Sequence, residues 1–303
     1  MSQHKSPTHA RAAESPTLPA TLRLGAVHLT VSNLGRTVAF YEDAIGLRLH
    51  RREDGVAAMG AGKEDLLVLY EEPIAQRAGR HAGLYHYALL FPSREELART
   101  ALRLAATDTR IQGASDHGTH EAIYLPDPDG NGIELAADRP REAWPDLANP
   151  NWGDGPRPLD MDVLLATVAG EEPRREAGAG LAVGHVHLHV GDLDRGLGFY
   201  RDVLGFELVM FFPGQAAFVS AGGYHHHLGF NTWRGEGVPP EPAGRVGLRH
   251  WTVMLEDQEE VEAVRKRVRT AGIATEEREG GGLLVRDPWG IAALFAADKA
   301  LKG

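Results

Sequence analysis

The amino-acid sequence predicts an α+β fold of four βαβββ units, which pair into two cupped β-barrels with their helices outside. Three observations predict it: an internal repeat, strand-like alternation at the start of each repeat, and short apolar runs broken by glycine after each helix. The chain has 303 residues, of which 43% are hydrophobic and 24% charged. This length and composition are typical of a globular protein of about two domains.

The repeat is visible in the first strand and helix of each half of the chain. The segment AVHLTVSNLGRTVAFYEDAIGLRL, which contains Val27, returns as HVHLHVGDLDRGLGFYRDVLGFEL around Val186. A looser strand, turn and helix follows within each half, starting at Tyr85 and at Arg249. Because a repeat at a fixed interval indicates a repeated structural unit, four units are predicted, over residues 24–73, 81–138, 183–234 and 246–297.

Local signals support a strand and then a helix in these units. The runs AVHLTV and VHLHV alternate apolar and polar side chains, as a half-buried strand does. Ser32, Ser93 and Asp257 stand where helices are expected to begin, and Glu96 follows Ser93 at the spacing of a capping box. Since a single unit would leave one face of its sheet exposed, the units are expected to pair.

The predicted organisation has four parts in chain order. Residues 1–21 form a disordered tail, 22–138 a first domain of two units, 139–180 a linker with a short helix, and 181–298 a second domain of two units. The tail lacks the apolar stretch of a secretory signal. No run of eighteen apolar residues occurs. We therefore expect a cytoplasmic protein without a membrane partner.

Charge and cysteine content exclude other classes of function. The net charge of −10, without a basic stripe, disfavours binding to a phosphate backbone, so no nucleic-acid partner is expected. The chain has no cysteine, which rules out disulfides and thiolate metal sites. Any metal must be held by His, Asp or Glu side chains.

Four motifs together resemble the vicinal oxygen chelate superfamily, which contains glyoxalases, bleomycin-resistance proteins and extradiol dioxygenases. They are GLYHYALLFP, YLPDPDGNGIELAADRP, GHVHLHVGDL and AGGYHHHLGFNTW. The resemblance covers residues 22–297 and is similar in detail to two-domain bacterial catechol 2,3-dioxygenases. It implies a metal inside the barrel, bound by residues of the first strands and of a last strand.

Equivalent positions of the four first strands each carry a histidine: His28, His86, His187 and His250. Among the last strands, only the second unit offers a carboxylate, Glu134. The resemblance implies two histidines and one carboxylate around Fe(II), with Mn(II) as the alternative. His86 and Glu134 belong to this set. The third ligand is His187 or His28, and His187 is favoured because its unit also carries the motif HHHLGF.

The same resemblance implies three further residues of the active site. HHHLGF is similar to the family's His-His-x-Leu-Ala-Phe strand, which assigns the acid–base role to His226. Strand alternation keeps His225 or His227 as alternatives. Tyr124, ten residues before Glu134, matches the family's substrate-orienting tyrosine. His117 is a candidate for the same pocket, although its spacing from Tyr124 departs from the family pattern.

The implied activity is extradiol cleavage of a catechol ring by O2. The partners expected are a small aromatic diol, O2 and further copies of the chain in a homo-oligomer. Since one fold hosts many chemistries, two alternatives stay open. One is a glyoxalase-like, metal-dependent isomerase or lyase, and the other is a resistance protein that binds an aromatic compound without turnover.

Overall fold

The computed structural model describes residues 17–147 and 156–298. Most of the predicted tail, residues 1–16, and residues 148–155 of the predicted linker lie outside the described residues. Leu18 is buried, and its backbone N–H donates to the carbonyl of Gly205. Packing against the fold therefore begins within the last residues of the predicted tail.

Each unit has the predicted order of one strand, one helix and three strands. The first contains β1 (Arg23–Val31), α1 (Leu34–Phe40), β2 (Arg48–Glu53), β3 (Val56–Gly60) and β4 (Leu67–Glu71). The second contains β5 (Gly83–Phe91), α2 (Arg94–Ala106), β6 (Gly113–Asp116), β7 (His120–Pro126) and β8 (Gly132–Asp138). Between the halves lie β9 (Arg157–Pro158) and α3 (Met161–Ala166). The third contains β10 (Ala182–His189), α4 (Leu193–Leu197), β11 (Glu207–Phe212), β12 (Ala216–Ser220) and β13 (Leu228–Asn231). The fourth contains β14 (Gly247–Leu255), α5 (Gln258–Thr270), β15 (Thr275–Arg278), β16 (Gly282–Arg286) and β17 (Ala292–Ala297).

The helix starts follow from capping side chains. Ser93 and Asp257 cap α2 and α5, as predicted. The prediction of Ser32 as a cap is wrong by one residue, because the Asn33 side chain accepts the first-turn N–H of α1. Ser32 instead donates from both its backbone N–H and its hydroxyl to the carboxylate of Asp129, at 2.8 and 2.6 Å.

The strands of the described residues form one continuous, curved sheet of seventeen strands. Strand β1 pairs antiparallel with β14, and β5 pairs antiparallel with β10. The first unit therefore faces the fourth, and the second faces the third. The α+β fold and the cupped pairs of units are confirmed, but the sheet stays open where closed barrels were predicted. Each cup takes one unit from each half of the sequence, and the predicted domain limits stay a prediction.

Helices cover the convex side of the sheet and bury their apolar faces there. On α5, Val261, Val264 and Val268 are buried, at the three- and four-residue spacing of one helical face. None of the helices in the described ranges is long and apolar enough to cross a membrane. With the apolar core behind the sheet, the concave faces of the cups are left for polar side chains.

Candidate metal centre

A tight turn and a required glycine set the position of Glu134 in the cup of units two and three. The carboxylate of Asp127 accepts the backbone N–H groups of Asp129 and Asn131, at 2.9 and 2.8 Å, and closes the turn before β8. Gly132 then pairs with His86 of β5. A Cβ at Gly132 would lie 2.1 Å from a backbone oxygen of β5, so only glycine allows this approach. Glu134 follows two residues later, on the same face of the strand.

A bulge in β10 brings His185 to the same level as Glu134. Strand β5 lies between β8 and β10, and its Ala88 is the register partner of Glu134. Val183 pairs with Leu89 and Val186 pairs with Tyr87, so three steps along β10 lie opposite two steps along β5. The extra residue in β10 is the bulge. His185 lies within this irregularity. It therefore faces Glu134 across β5, whereas His187 pairs with His86.

The three side chains meet at the floor of the cup. The Oε2 atom of Glu134 lies 3.1 Å from His86 Nε2 and 3.2 Å from His185 Nε2. The two Nε2 atoms are 3.3 Å apart. All three residues are buried, and one donor atom from each fits within 4.8 Å of the others. His86, Glu134 and His185 form a compact group that could hold a metal ion.

His187, the predicted third ligand, lies beside this group and is occupied by another contact. The backbone N–H of Trp233 donates to Asn231 Oδ1 at 3.1 Å, which fixes the orientation of the Asn231 amide. The amide N–H of Asn231 then donates to His187 Nε2 at 2.9 Å. The Nε2 lone pair of His187 is thus used within the protein. The prediction for His187 does not match this geometry, and His185 takes its place in the group.

The alternative ligand His28 lies in the other cup. Its ring stacks on His250, with 3.9 Å between ring centroids, and its Nδ1 is 3.0 Å from the hydroxyl of Tyr70. Within the described residues, the groups of ligands that could hold a metal are His86 with Glu134 and His185, and His120 with Asp138 and His225. Neither group includes a residue of the first or fourth unit.

The electrostatics of the group favour a bound cation. Burial alone would raise the pKa of the Glu134 carboxyl, but the surrounding imidazoles of His185, His120 and His86 outweigh it and hold this pKa well below its usual range. Burial lowers the pKa of His86 to about 3, against the attraction of Glu134. The group thus presents an ionised carboxylate beside a neutral imidazole, the protonation states that metal binding requires.

Sequence reasoning missed His120, which contacts the free oxygen of the carboxylate. Its Nε2 lies 3.0 Å from Glu134 Oε1, and its ring stacks on His117 with a centroid distance of 4.5 Å. Counting back from Tyr124 in steps of two along β7, through Ala122, leads to His120 on the same face. That alternation was the signal available in the sequence.

A cavity of about 550 Å³ opens beside the group. Its polar end contains all three predicted catalytic residues, Tyr124, His117 and His226, together with His86 and Glu134. The remaining wall is largely apolar or aromatic, and its main members are Tyr85, Pro156, Met210, Phe212, Phe218 and Trp233. A larger surface groove of about 760 Å³ contains none of the predicted site residues. We therefore take the smaller cavity as the candidate active site.

Hydrogen bonds and burial set the state of the catalytic candidates. The Tyr124 hydroxyl lies 2.7 Å from His117 Nε2. Burial, with the nearby charge of Glu134, raises the pKa of Tyr124, so this hydroxyl stays protonated. Burial and the neighbouring His185 lower the pKa of His226 well below its usual value. Among the three consecutive histidines, His226 is the one that lines the cavity.

Comparison with known proteins gives one family and several relatives. The model of the Glyoxalase/Bleomycin resistance protein/Dioxygenase superfamily matches residues 23–135 and 182–295. A curated protein of Bacillus subtilis (strain 168), named Catechol-2,3-dioxygenase, is 43% identical over 269 residues, which cover 88% of this chain and 93% of the relative.

Solved structures share the fold at lower identity. A putative dioxygenase from Bacillus subtilis subsp. subtilis str. 168 matches with a TM-score of 0.60 at 14% identity, over 94% of this chain and 87% of that one. Glyoxalase I from Zea mays matches with a TM-score of 0.56 at 19% identity, over 91% and 92% of the two chains. At such identities these likenesses concern the fold alone.

Proposed function

Because the chain belongs to the Glyoxalase/Bleomycin resistance protein/Dioxygenase superfamily, as its motifs predict, we propose that it is an extradiol dioxygenase that opens a catechol-type ring with O2. The observation that carries the proposal is the buried group of His86, Glu134 and His185 at the end of an aromatic cavity. The relative named Catechol-2,3-dioxygenase supports the reaction class, since it is 43% identical over most of both chains.

The charge of the group supports a divalent metal. A carboxylate that is 2% exposed loses nearly all hydration, and an ionised group in that position is strongly destabilising unless it is paired. The neutral imidazole of His86 brings no positive charge to it. A divalent cation between Glu134, His86 and His185 would balance this charge.

The donor set of two imidazoles and one carboxylate suits Fe(II), with Mn(II) as the alternative. A ferrous ion in such a site supplies an open face at which an aromatic diol and dioxygen are brought together and activated. The identity of the metal belongs to the proposal, as do the roles of the surrounding residues. His185 replaces His187 in the ligand set that we propose.

The residues around the group can orient the diol and move its protons. Tyr124 keeps its hydroxyl proton and can donate a hydrogen bond to a substrate oxygen, while His117 holds that hydroxyl in place. His226 is neutral and lines the cavity, so it can accept a proton from a substrate hydroxyl. General acid–base help of this kind is worth about 10²–10⁴ in rate.

The cavity wall supports an uncharged aromatic substrate. Phe218 contacts two histidines of the cavity lining, with its ring centroid 5.1 Å from that of His226 and 5.5 Å from that of His187. Within the described residues, the lining contains neither lysine nor arginine. A flat apolar ring would bury well here, whereas a ring carboxylate would lack a counter-charge. A cytoplasmic location and a homo-oligomer remain predictions.

The test combines metal content with turnover. The iron-loaded protein is expected to consume one O2 per catechol and to form a yellow muconic semialdehyde-type product, while Glu134→Gln should lose both bound iron and O2 uptake. The matched control is Glu121→Gln, which removes another buried carboxylate, paired with Arg94 at 2.6 Å. It should keep bound iron and turnover even if its stability falls. Tight binding of catechol without O2 uptake would contradict the proposal and favour a binding protein.

A further inference from the structure

A chain of hydrogen bonds runs from the rim of the cup to the candidate acid–base histidine. Asp138 Oδ1 lies 3.0 Å from His225 Nε2, and His225 Nδ1 lies 2.8 Å from His226 Nδ1. His225 is 1% exposed and His226 is 6% exposed, whereas the side chain of Asp138 is 25% exposed. The chain thus connects a solvent-facing carboxylate with a ring that lines the cavity.

The chemistry of the three groups fixes where their protons are. An ionised carboxylate only accepts hydrogen bonds, and Asp138 also accepts one from the Tyr224 hydroxyl at 2.9 Å. His225 must therefore carry its proton on Nε2 to donate to Asp138. A neutral His225 then has a lone pair on Nδ1, so the short contact to His226 requires the proton to sit on His226 Nδ1. In that tautomer the lone pair of His226 is on Nε2.

The surroundings hold His225 in this orientation. Its ring stacks on His120 at a centroid distance of 4.7 Å, with 15° between the planes. Tyr224 lies at 4.1 Å and Trp144 at 5.2 Å on other sides. A ring enclosed by three aromatic neighbours has little freedom to turn, so the direction of its two nitrogens is set by packing as well as by hydrogen bonds.

We propose that Asp138 and His225 are positioning residues, which hold His226 in the Nδ1–H tautomer so that its Nε2 is the atom that accepts the substrate proton. The same logic links a carboxylate, a histidine and a reacting group in catalytic triads, where the carboxylate selects the tautomer. The inference rests on the proposed function for the role of His226, but the tautomer itself can be measured without turnover.

These same residues also include two members of the second group that could hold a metal, His120 with Asp138 and His225. The hydrogen bonds favour the positioning role. The Nε2 atom of His225 is used by Asp138, and the Nε2 atom of His120 lies 3.0 Å from Glu134. Each of the two histidines is thus also bonded to a residue outside this second group, His225 to His226 through Nδ1 and His120 to Glu134.

The test compares two substitutions of equal shape, His225→Leu and His225→Asn. Both remove the ring stacking and the bond to Asp138, but only asparagine keeps an oxygen near the position of Nδ1, where it can accept from His226. We expect His225→Leu to lower kcat for catechol by about 10- to 100-fold, with KM and bound iron within threefold of wild type. His225→Asn should recover at least tenfold in kcat over His225→Leu.

Nitrogen-15 NMR of the histidine rings in the metal-free protein gives the second readout. The expected result is a proton on Nδ1 of His226 in wild type and in His225→Asn, and on Nε2 in His225→Leu. A wild-type His226 protonated on Nε2 would overturn the inference, as would equal kcat values in the two variants. If wild type fails to cleave catechol at all, the proposed function falls, while the NMR result still decides the tautomer.

Discussion

The third metal ligand can be identified by a matched pair of substitutions, His185→Ala and His187→Ala. Both rings are buried, and they lie two residues apart on the same face of β10. His185 Nε2 is 3.2 Å from Glu134 Oε2, whereas His187 Nε2 accepts from Asn231. The two variants remove the same side chain from neighbouring positions, so they differ mainly in what that side chain contacts.

The expected magnitudes follow from these contacts. Loss of a residue that only supports a ligand typically weakens metal binding by about 10- to 100-fold, and loss of a ligand should cost at least the upper end of that range. We expect His185→Ala to weaken Fe(II) binding by more than about 100-fold, or about 2.8 kcal/mol at 1.4 kcal/mol per factor of ten. For His187→Ala, whose ring centroid is 5.0 Å from that of His86, we expect about tenfold or less.

The assay is an anaerobic titration of each purified variant with Fe(II) against a competing chelator. Circular dichroism and the melting temperature of the metal-free proteins show whether each variant is folded. The reasoning is refuted if His187→Ala loses as much affinity as His185→Ala, or if His185→Ala stays within tenfold of wild type.

Three further predictions concern turnover and stability. Tyr124→Phe should lower kcat/KM for catechol by about 10- to 100-fold without loss of bound iron, since a hydrogen bond to a charged group contributes about 1.5–3 kcal/mol; unchanged steady-state kinetics would contradict this. Burial lowers the pKa of His86 to about 3 and of His225 to about 4, so both rings stay neutral in the folded protein. In the unfolded chain they bind protons below about pH 6.5, so the folded state loses stability as the pH falls below that value. Urea unfolding of the metal-free protein should show a loss of several kcal/mol from pH 7 to pH 5, and a flat profile would argue against neutral buried rings. Burial raises the pKa of Asp287 to about 6, despite the hydrogen bond from Tyr200. The protonated carboxyl therefore stabilises the folded protein fully below about pH 3.8, and this stabilisation is lost as the pH rises through 6. Asp287→Asn should remove up to about 3 kcal/mol of this pH dependence, which urea midpoints between pH 4 and pH 7 would measure.

The fold was predictable because its signals are local and repeated. Period-two strands, capping residues such as Ser93 and Asp257, and glycine-containing turns all act over a few residues and recur in each unit. Glu134 and His86 could also be placed from sequence, since the turn that starts at Asp127 fixes the start of β8 against β5. The pairing of unit two with unit three followed from the histidine-rich strand of unit three.

The proposed third ligand, His185, was missed although the repeat points to it. The alignment that selects His187 follows unit one, where His28 lies five residues before the helix cap Asn33, as His187 does before Asp192. In units two and four the histidine lies seven residues before the cap, and the residue seven before Asp192 in unit three is His185. The sequence does not mark the bulge that contains His185, which changes the register between β10 and β5. Alternation from Tyr124 places His120 on the same face of β7, but its contact with Glu134 depends on how the β7–β8 hairpin faces the cup.

The most direct test of the proposed centre is the position of iron in crystals of the iron-loaded protein, measured by anomalous scattering at the iron absorption edge. We predict one strong peak within coordination distance of His86, Glu134 and His185, beside the aromatic cavity. A peak between His120, Asp138 and His225, or the lack of any peak in protein that turns over catechol, would contradict the account.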